Sequence, residues 1–214
     1  SIPRLAVVGV SDWITNEARN SIMKTASVIE RIYNWIDLDL FKMTNDIDLR
    51  KKMGLEGKFV ILGVASKWDN RKGLSTFIEL AKNLNSDKII VLIGQIEENK
   101  LPHNIIHVNN INNVKELVKY YSMADVFLQL SLQESFGKVV AESLACGTPV
   151  VTVDSTANRE LVPQQCGVVL PTLDISKLKE SIDKIQEKGK AKYSSECRLF
   201  AEKSFGSKDN IGKY

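Results

Sequence analysis

The stretch Glu134-Ser-Phe-Gly-Lys-Val-Val-Ala-Glu-Ser-Leu-Ala-Cys-Gly-Thr-Pro149 decides the fold. An apolar run, Asp125-Val-Phe-Leu-Gln-Leu130, precedes it and suits a strand; Val150-Val-Thr-Val153 follows it and suits another. Between them, residues 137–146 read as a helix with a defined stop, because Gly147 can take the left-handed C′ conformation and Pro149 cannot continue the turn. Strand, tight turn, helix and strand together set a helix N-terminus at the carboxyl edge of a parallel sheet. The amides of Phe136, Gly137, Lys138 and Val139 then have no intrahelical partner, and with the helix dipole they form an anion site. Glu134 stands just before that turn and Glu142 lies inside the helix.

The same alternation extends outward in both directions. Strands are expected at 58–65, 88–94, 105–108 and 167–170, and helices at 46–53 (stopped by Gly54), 72–84, 114–123, 175–188 and 191–203, with a short helix near 157–161. The last two long helices read as surface helices, and 184–192 as a charged, solvated face and connector. The expected fold class is therefore α/β, a Rossmann-like doubly wound parallel sheet covered on both faces. Ahead of it, 5–10 and 28–33 read as strands, and Ser11 can cap a helix running from 13 to about 23.

Glu-x7-Glu around a Phe-Gly turn, followed by Ala-Cys-Gly-Thr-Pro-Val-Val, resembles the donor-site motif of the group 1 (family 4) retaining glycosyltransferases, which have the GT-B fold. The resemblance implies one half of a GT-B fold: turn amides holding the diphosphate of a nucleotide-sugar, Glu134 facing the donor sugar, and Glu142 on the ribose hydroxyls. The residue types suit those roles, since a carboxylate accepts two hydroxyl hydrogen bonds and backbone amides take phosphate oxygens. Gly63-Val-Ala-Ser-Lys-Trp-Asp-Asn-Arg-Lys-Gly73 is similar to the family's first phosphate loop, with Lys72-Gly73 matching its Lys-Gly pair at a helix start. A Lys there suits a leaving diphosphate, and basic residues at a helix N-terminus run against the dipole, which favours a functional reading over a plain surface one. The family's usual Arg is replaced by Ser66, leaving Lys67 and Arg71 as alternative sources of that charge. Ile111, in the polar loop Val108-Asn-Asn-Ile-Asn-Asn113, falls where the family docks the base.

Other positions carry weaker signals. Asn34-Trp35-Ile36-Asp37 followed by Phe41 resembles the family's hinge, with Trp35 where Gly is usual, so a positive φ there is in question. Residues 1–41 thus read as the remnant of an amino-terminal acceptor domain and hinge, and 42–214 as the donor-binding domain; a fragment that begins at Ser fits that reading. Ser131 matches a family Ser but equally suits a turn. Glu160, after Ser155-Thr-Ala-Asn-Arg, is expected to brace its loop, and Gly94 to permit a close approach by ligand or chain. The Asp-x-Asp runs at 37–39 and 46–48 belong to the hinge and to a helix's first turn, so no metal site is expected. His103 and His107 lack partners at ligand spacing and read as structural.

Composition bounds the rest. The 214 residues are 43% hydrophobic and 26% charged, ordinary for a globular protein. A net charge of +3 with no basic run interleaved with aromatics gives no case for nucleic acid. Cys146, Cys166 and Cys197 lack metal spacing and read as reduced thiols in the cytoplasm. The apolar runs fall far short of the ~20 residues a membrane span needs. The resemblance implies a hexosyltransferase without a separate cofactor, using a nucleotide-diphosphate sugar as donor and a saccharide or glycolipid as acceptor. It further implies polysaccharide or glycolipid assembly in the cytoplasm, with peripheral association at the inner membrane surface through the first domain. This chain would bind donor and transfer sugar poorly alone. Two rivals stand: a catalytically inactive nucleotide-sugar-binding or scaffold module, and a flavodoxin-like domain, which needs acidic residues where Ala65-Ser66-Lys67 supplies none.

Overall fold

The computed structural model describes residues 4–45, 47–98, 100–207 and 212. Asp46, the expected first residue of a short helix and of the second Asp-x-Asp run, lies outside the described residues. In chain order the elements are β1 (Ala6–Gly9), α1 (Asp12–Arg19), β2 (Val28–Arg31), α2 (Ile47–Lys52), β3 (Phe59–Lys67), α3 (Leu74–Asn83), β4 (Lys88–Gln95), β5 (Ile105–Val108), α4 (Val114–Met123), β6 (Val126–Gln129), α5 (Lys138–Ala145), β7 (Val150–Val153), β8 (Gly167–Leu170), α6 (Ile175–Lys188) and α7 (Ala191–Phe205).

β3 to β8 form one parallel sheet in the order β5-β4-β3-β6-β7-β8. Numbered within the sheet, this is the Rossmann order 3-2-1-4-5-6, which the flavodoxin-like order does not match. The chain reverses its direction of travel between β3 and β6, so the crevice for a ligand opens at their carboxyl ends. Val60, Ile61 and Leu62 of β3 have no exposed surface, as a strand covered on both faces requires. α3 packs on α6, and α5 packs between α4 and α7. α5 is buried from Val140 to Ala145, and its small residues Ala141, Ser143 and Ala145 let neighbouring elements close on it. At the end of β4, Gly94 (φ 128°) lies so close to β3 that a Cβ would collide with the Ala65 carbonyl oxygen, so the close approach is by chain.

Several boundaries differ from the sequence expectation. α1 stops at Arg19, and a separate 3₁₀ turn, Ile22–Thr25, follows, started by the Ser21 hydroxyl accepting from the Met23 amide at 3.0 Å. α3 begins at Leu74, because Asp69 caps an independent 3₁₀ turn, Asn70–Lys72, that Gly73 ends at φ 82°. α7 lies at the surface as expected, with one stripe, Tyr193, Cys197, Ala201 and Phe205, buried against the core. Within the stretch expected to be solvated, Lys190 is half-buried, and its ammonium donates to the Ser122 and Ala124 carbonyls at 2.5 and 2.8 Å, at the end of α4. Desolvation lowers its pKa to about 8. Trp35 has no positive φ, since Thr156 is the one non-glycine residue with that conformation among the described residues.

β1 and β2 form a separate two-stranded parallel sheet bridged by α1. This front segment is fastened to the larger sheet's helices. The Ile36 amide donates to the Phe205 carbonyl at 3.0 Å, and the Arg198 guanidinium donates to the carbonyls of Leu38, Phe41 and Ala145. Among the described residues, no helix is long and apolar enough to cross a membrane. Arg198→Ala leaves three half-buried carbonyls without their donor, and a loss of ~2–4 kcal/mol is expected in urea unfolding. A loss below about 0.5 kcal/mol would show that Arg198 contributes little to holding the front segment.

Candidate functional site

Three loops, following β3, β6 and β7, converge at the carboxyl edge of the sheet. In the first, the buried Trp68 indole donates to the Ile93 carbonyl at 2.9 Å and its ring stands edge-on to Phe77. One Asp69 oxygen accepts the Lys72 amide at 3.0 Å and the other accepts the Arg71 guanidinium at 2.9 Å. The Arg71 hydrogen bond, then the Lys72 amide, hold the Asp69 carboxyl below its usual range. Gly73 is required twice: for its left-handed φ, and because a Cβ would lie 2.8 Å from the Leu130 carbonyl oxygen. The Leu132 amide donates to the Arg71 carbonyl at 2.9 Å, fixing the first loop on the second. The result is that Lys72 Nζ meets Glu134 Oε1 at 2.6 Å.

The third loop fixes the backbone of Glu134. The Glu134 amide donates to Thr156 Oγ1 at 2.9 Å, and the Ala157 amide donates to the Glu134 carbonyl at 3.3 Å. Ser155 Oγ and Asn158 Nδ2 both donate to the Ser131 carbonyl at 3.2 Å, so Ser131 contributes its backbone to the loop clamp. Thr156 holds φ at 47°, a strained position for a β-branched residue.

Immediately beyond Glu134, Gly137 (φ 84°) turns the chain into α5. A Cβ there would make only ordinary contacts, the nearest 3.5 Å from Leu161, so this glycine serves its conformation rather than space. Among the described residues, nothing accepts a hydrogen bond from the amides of Phe136, Gly137, Lys138 and Val139; the Val140 amide is the first to be taken, by the Gly137 carbonyl at 2.9 Å. The Phe136 ring is buried against Tyr33 and Phe205, with centroids 5.7 Å away in each case, so it anchors the nest and offers a ligand only its amide. This is a set of unpaired donors at a helix N-terminus, with an ammonium and a carboxylate alongside.

Glu142 sits one turn into α5 and is 8% exposed. The Tyr121 hydroxyl donates to its Oε2 at 2.9 Å, and its Oε1 has no partner among the described residues. Burial pushes the carboxyl up to about 6, against the opposing pull of the Tyr121 hydroxyl and the Lys138 charge. Ser66 and Ile111 come together in a cavity of about 280 Å³ that Val64, Ile93, Asn110 and Leu117 also line, at the carboxyl ends of β3 and β4. Ser66 lies within β3 itself, which runs on to Lys67.

The two alternative basic residues are engaged elsewhere: Lys67 pairs with Glu97 at 2.8 Å, and Arg71, largely exposed, pairs with Asp69. Contrary to the sequence expectation, Glu160 does not brace its own loop; among the described residues its carboxylate is bonded from the front segment instead. It accepts from the amides of Asp12 (2.6 Å) and Trp13 (3.2 Å) and from the Tyr33 hydroxyl (3.1 Å), so it caps α1 from across the molecule. Asp37 accepts the amides of Asp39 and Leu40, a turn built into the hinge. Among the described residues, no three His, Cys, Asp or Glu side chains gather as a metal set, and His107 bonds the Gly94 carbonyl at 2.7 Å.

Sequence reasoning missed Gln129, Tyr121 and Thr156. Gln129 Nε2 donates to Glu134 Oε1 at 3.1 Å from the end of β6, where a lone amide closing an apolar strand was the available signal. Nothing local in Ser155-Thr-Ala-Asn marks Thr156 for a positive φ, and Tyr121 reads as a core aromatic.

Against known proteins, residues 45–203 match the family model for glycosyl transferases group 1. Spore coat protein SA of Bacillus subtilis is 25% identical over 184 residues, which is 74% of this chain and 48% of that protein. N-acetyl-alpha-D-glucosaminyl L-malate synthase of Bacillus anthracis is 28% identical over 157 residues, covering 68% of this chain and 40% of that enzyme. This chain thus spans half or less of the length of these curated relatives. In fold it is similar to Anabaena HepE, whose crystal structure holds UDP and glucose, at a TM-score of 0.82 and 20% identity, over 97% of this chain and 61% of HepE. The order of the sheet, the glycine-turned helix start and the family match agree: the chain belongs to the group 1 glycosyl transferases and has the α/β architecture of GT-B glycosyltransferases.

Proposed function

We propose that this chain is the donor-binding half of a retaining glycosyltransferase that takes a hexose from a nucleotide-diphosphate sugar. The observation that carries the reading is the Lys72–Glu134 pair, 2.6 Å apart, beside four amides at the start of α5 that have no acceptor among the described residues. Those amides and the Lys72 ammonium suit a diphosphate, whose negative charge grows as its oxygen parts from the anomeric carbon. Glu134, with its Oε2 free of protein partners among the described residues, suits the hydroxyls of the departing sugar. Glu142 Oε1 suits a ribose hydroxyl, and the cavity between Ser66 and Ile111 suits the base. UDP and glucose in HepE, and the glycosyl chemistry named for the Bacillus anthracis enzyme, support a nucleotide-sugar donor.

Residues 42–214 then form the donor domain and 1–41 belong to the acceptor domain, a division supported by the separate β1–β2 sheet. The acceptor, a saccharide or glycolipid, would be held across the cleft on the remainder of that domain. The chain as it stands would bind donor without efficient transfer. Lys72 and Glu134 both stand in place, which favours a working site over an inactive scaffold.

Thermal melting with UDP, GDP and ADP tests the reading. A nucleotide at 100 times its Kd adds ~2.7 kcal/mol, a rise on the order of 5–10 °C for a domain of this size. Lys72→Ala should weaken binding of the preferred nucleoside diphosphate at least ~10-fold and leave the bare nucleoside nearly unaffected. Absence of any shift with all three nucleotides, or an equal loss for diphosphate and nucleoside, defeats the proposal.

Glu142 supplies a second check, through pH. Its folded pKa is raised from 4.5 to about 6, so its contribution to stability is complete below 4.5 and is lost as pH rises through about 6. Ionised at pH 7.5, it costs the empty protein about 2 kcal/mol. Glu142→Gln should therefore gain stability relative to the parent as pH is raised from 4 to 7.5. The parent's affinity for a sugar nucleotide should climb across the same interval, while that of the variant stays flat. Parallel pH profiles for the two proteins would count against a ribose role for Glu142.

A further inference from the structure

We propose that Gln129 is a positioning residue for donor-sugar recognition: it holds the Glu134 carboxylate in place once a diphosphate has drawn Lys72 away. The inference rests on the donor-site reading above and adds to it a residue that recognises the sugar through Glu134. Gln129 ends β6, the strand beside the switch point, and is 4% exposed. An amide buried at such a place is costly unless it is bonded. Its Nε2 lies 3.1 Å from Glu134 Oε1, and because an ionised carboxylate only accepts, the amide must present its N–H to it. The hydrogen bond is thus charge-assisted.

The same Glu134 oxygen also takes the Lys72 ammonium, at 2.6 Å. Two donors therefore converge on Oε1, and Oε2 remains for an incoming hydroxyl. The two donors differ in mobility. Lys72 stands on a short 3₁₀ turn with its side chain 37% exposed, at the end of a flexible stem. Gln129 is fixed in a strand between β3 and β7, and its own carbonyl accepts from Thr152 Oγ1 at 2.8 Å. A diphosphate on the α5 amides competes for the mobile Lys72 ammonium, whereas the Gln129 amide, buried at the end of β6, is held back from following it. Glu134 would then keep its orientation through Gln129, its backbone held by Thr156 and Ala157. On this account Lys72 serves the phosphates, and Gln129 separates sugar recognition from that movement.

The test compares Kd for UDP-glucose and for UDP by calorimetry in the parent chain, Gln129→Met and Gln129→Glu. Met preserves length and burial without the donor; Glu preserves shape and presents an acceptor to a carboxylate. The ratio of Kd for UDP-glucose to Kd for UDP should rise about tenfold in Gln129→Met and further in Gln129→Glu. A ratio within about twofold of the parent in both variants, including the case where both ligands weaken equally, overturns the positioning role and leaves Gln129 as packing. If the parent chain itself binds UDP but its ratio is unchanged by Glu134→Gln, the sugar role of Glu134 fails, and this inference with it. Binding of neither ligand by the parent, with GDP and ADP also silent, locates the failure in the donor reading itself.

Discussion

An ammonium and a carboxylate 2.6 Å apart join loops that are 62 residues apart in the chain, and much of the site's construction serves that meeting. Lys72 reaches Glu134 only because Gly73 lets the first loop press on Leu130 and because the Arg71 carbonyl takes the Leu132 amide. Glu134 waits there because the loop after β7 grips its backbone from both sides. The sheet order supplies the frame: β3 and β6 are neighbours whose onward connections diverge, so a crevice opens between their carboxyl ends. Half-buried, such a pair escapes much of the solvent screening that makes exposed ion pairs weak.

Charge is concentrated in this crevice at some cost to stability. Four amides at the start of α5 lack acceptors among the described residues, Thr156 occupies a strained conformation, and the Glu142 carboxyl is buried in a place that favours its acid form. Each departure from the most stable arrangement is local to the crevice, while the sheet beneath it is packed without exposed surface at Val60, Ile61, Leu62, Val126 and Phe127. That distribution, strain above and a rigid base below, is what a preorganised binding site requires. The front segment is coupled to the same place: Glu160 leaves the clamping loop to cap α1, and Tyr33 packs on Phe136, whose amide belongs to the nest. Movement of the front unit would therefore be felt at the start of α5.

Two amphipathic helices and three short apolar strands set off by turns were legible in the sequence to the residue: α4, α6, β5, β7 and β8 fall where the pattern places them. So was the helix start at Gly137, because a glycine needed for its φ leaves a mark that chain chemistry can read. What could not be read depends on contacts between distant segments. α3 starts late because Asp69 captures the Lys72 amide in a turn of its own, a choice between two caps that the local sequence leaves open. Lys190 looks like one more solvated lysine until the end of α4 supplies two carbonyls for it. Lys67 and Arg71 could be told apart from Lys72 only when Glu97 and Asp69 were found beside them. Gln129 and Tyr121 gain their meaning from carboxylates 5 and 21 residues away, across a turn and between helices.

The central claim is that this crevice is built around a diphosphate. Its most direct test is a crystal structure of the chain with UDP, or with whichever nucleoside diphosphate binds most tightly. The account predicts phosphate oxygens within hydrogen-bond distance of the amides of residues 136–139, the Lys72 ammonium transferred from Glu134 to a phosphate, and the Glu134 backbone unmoved. A nucleotide bound elsewhere, or a diphosphate in the crevice with Lys72 still closed on Glu134, would contradict it.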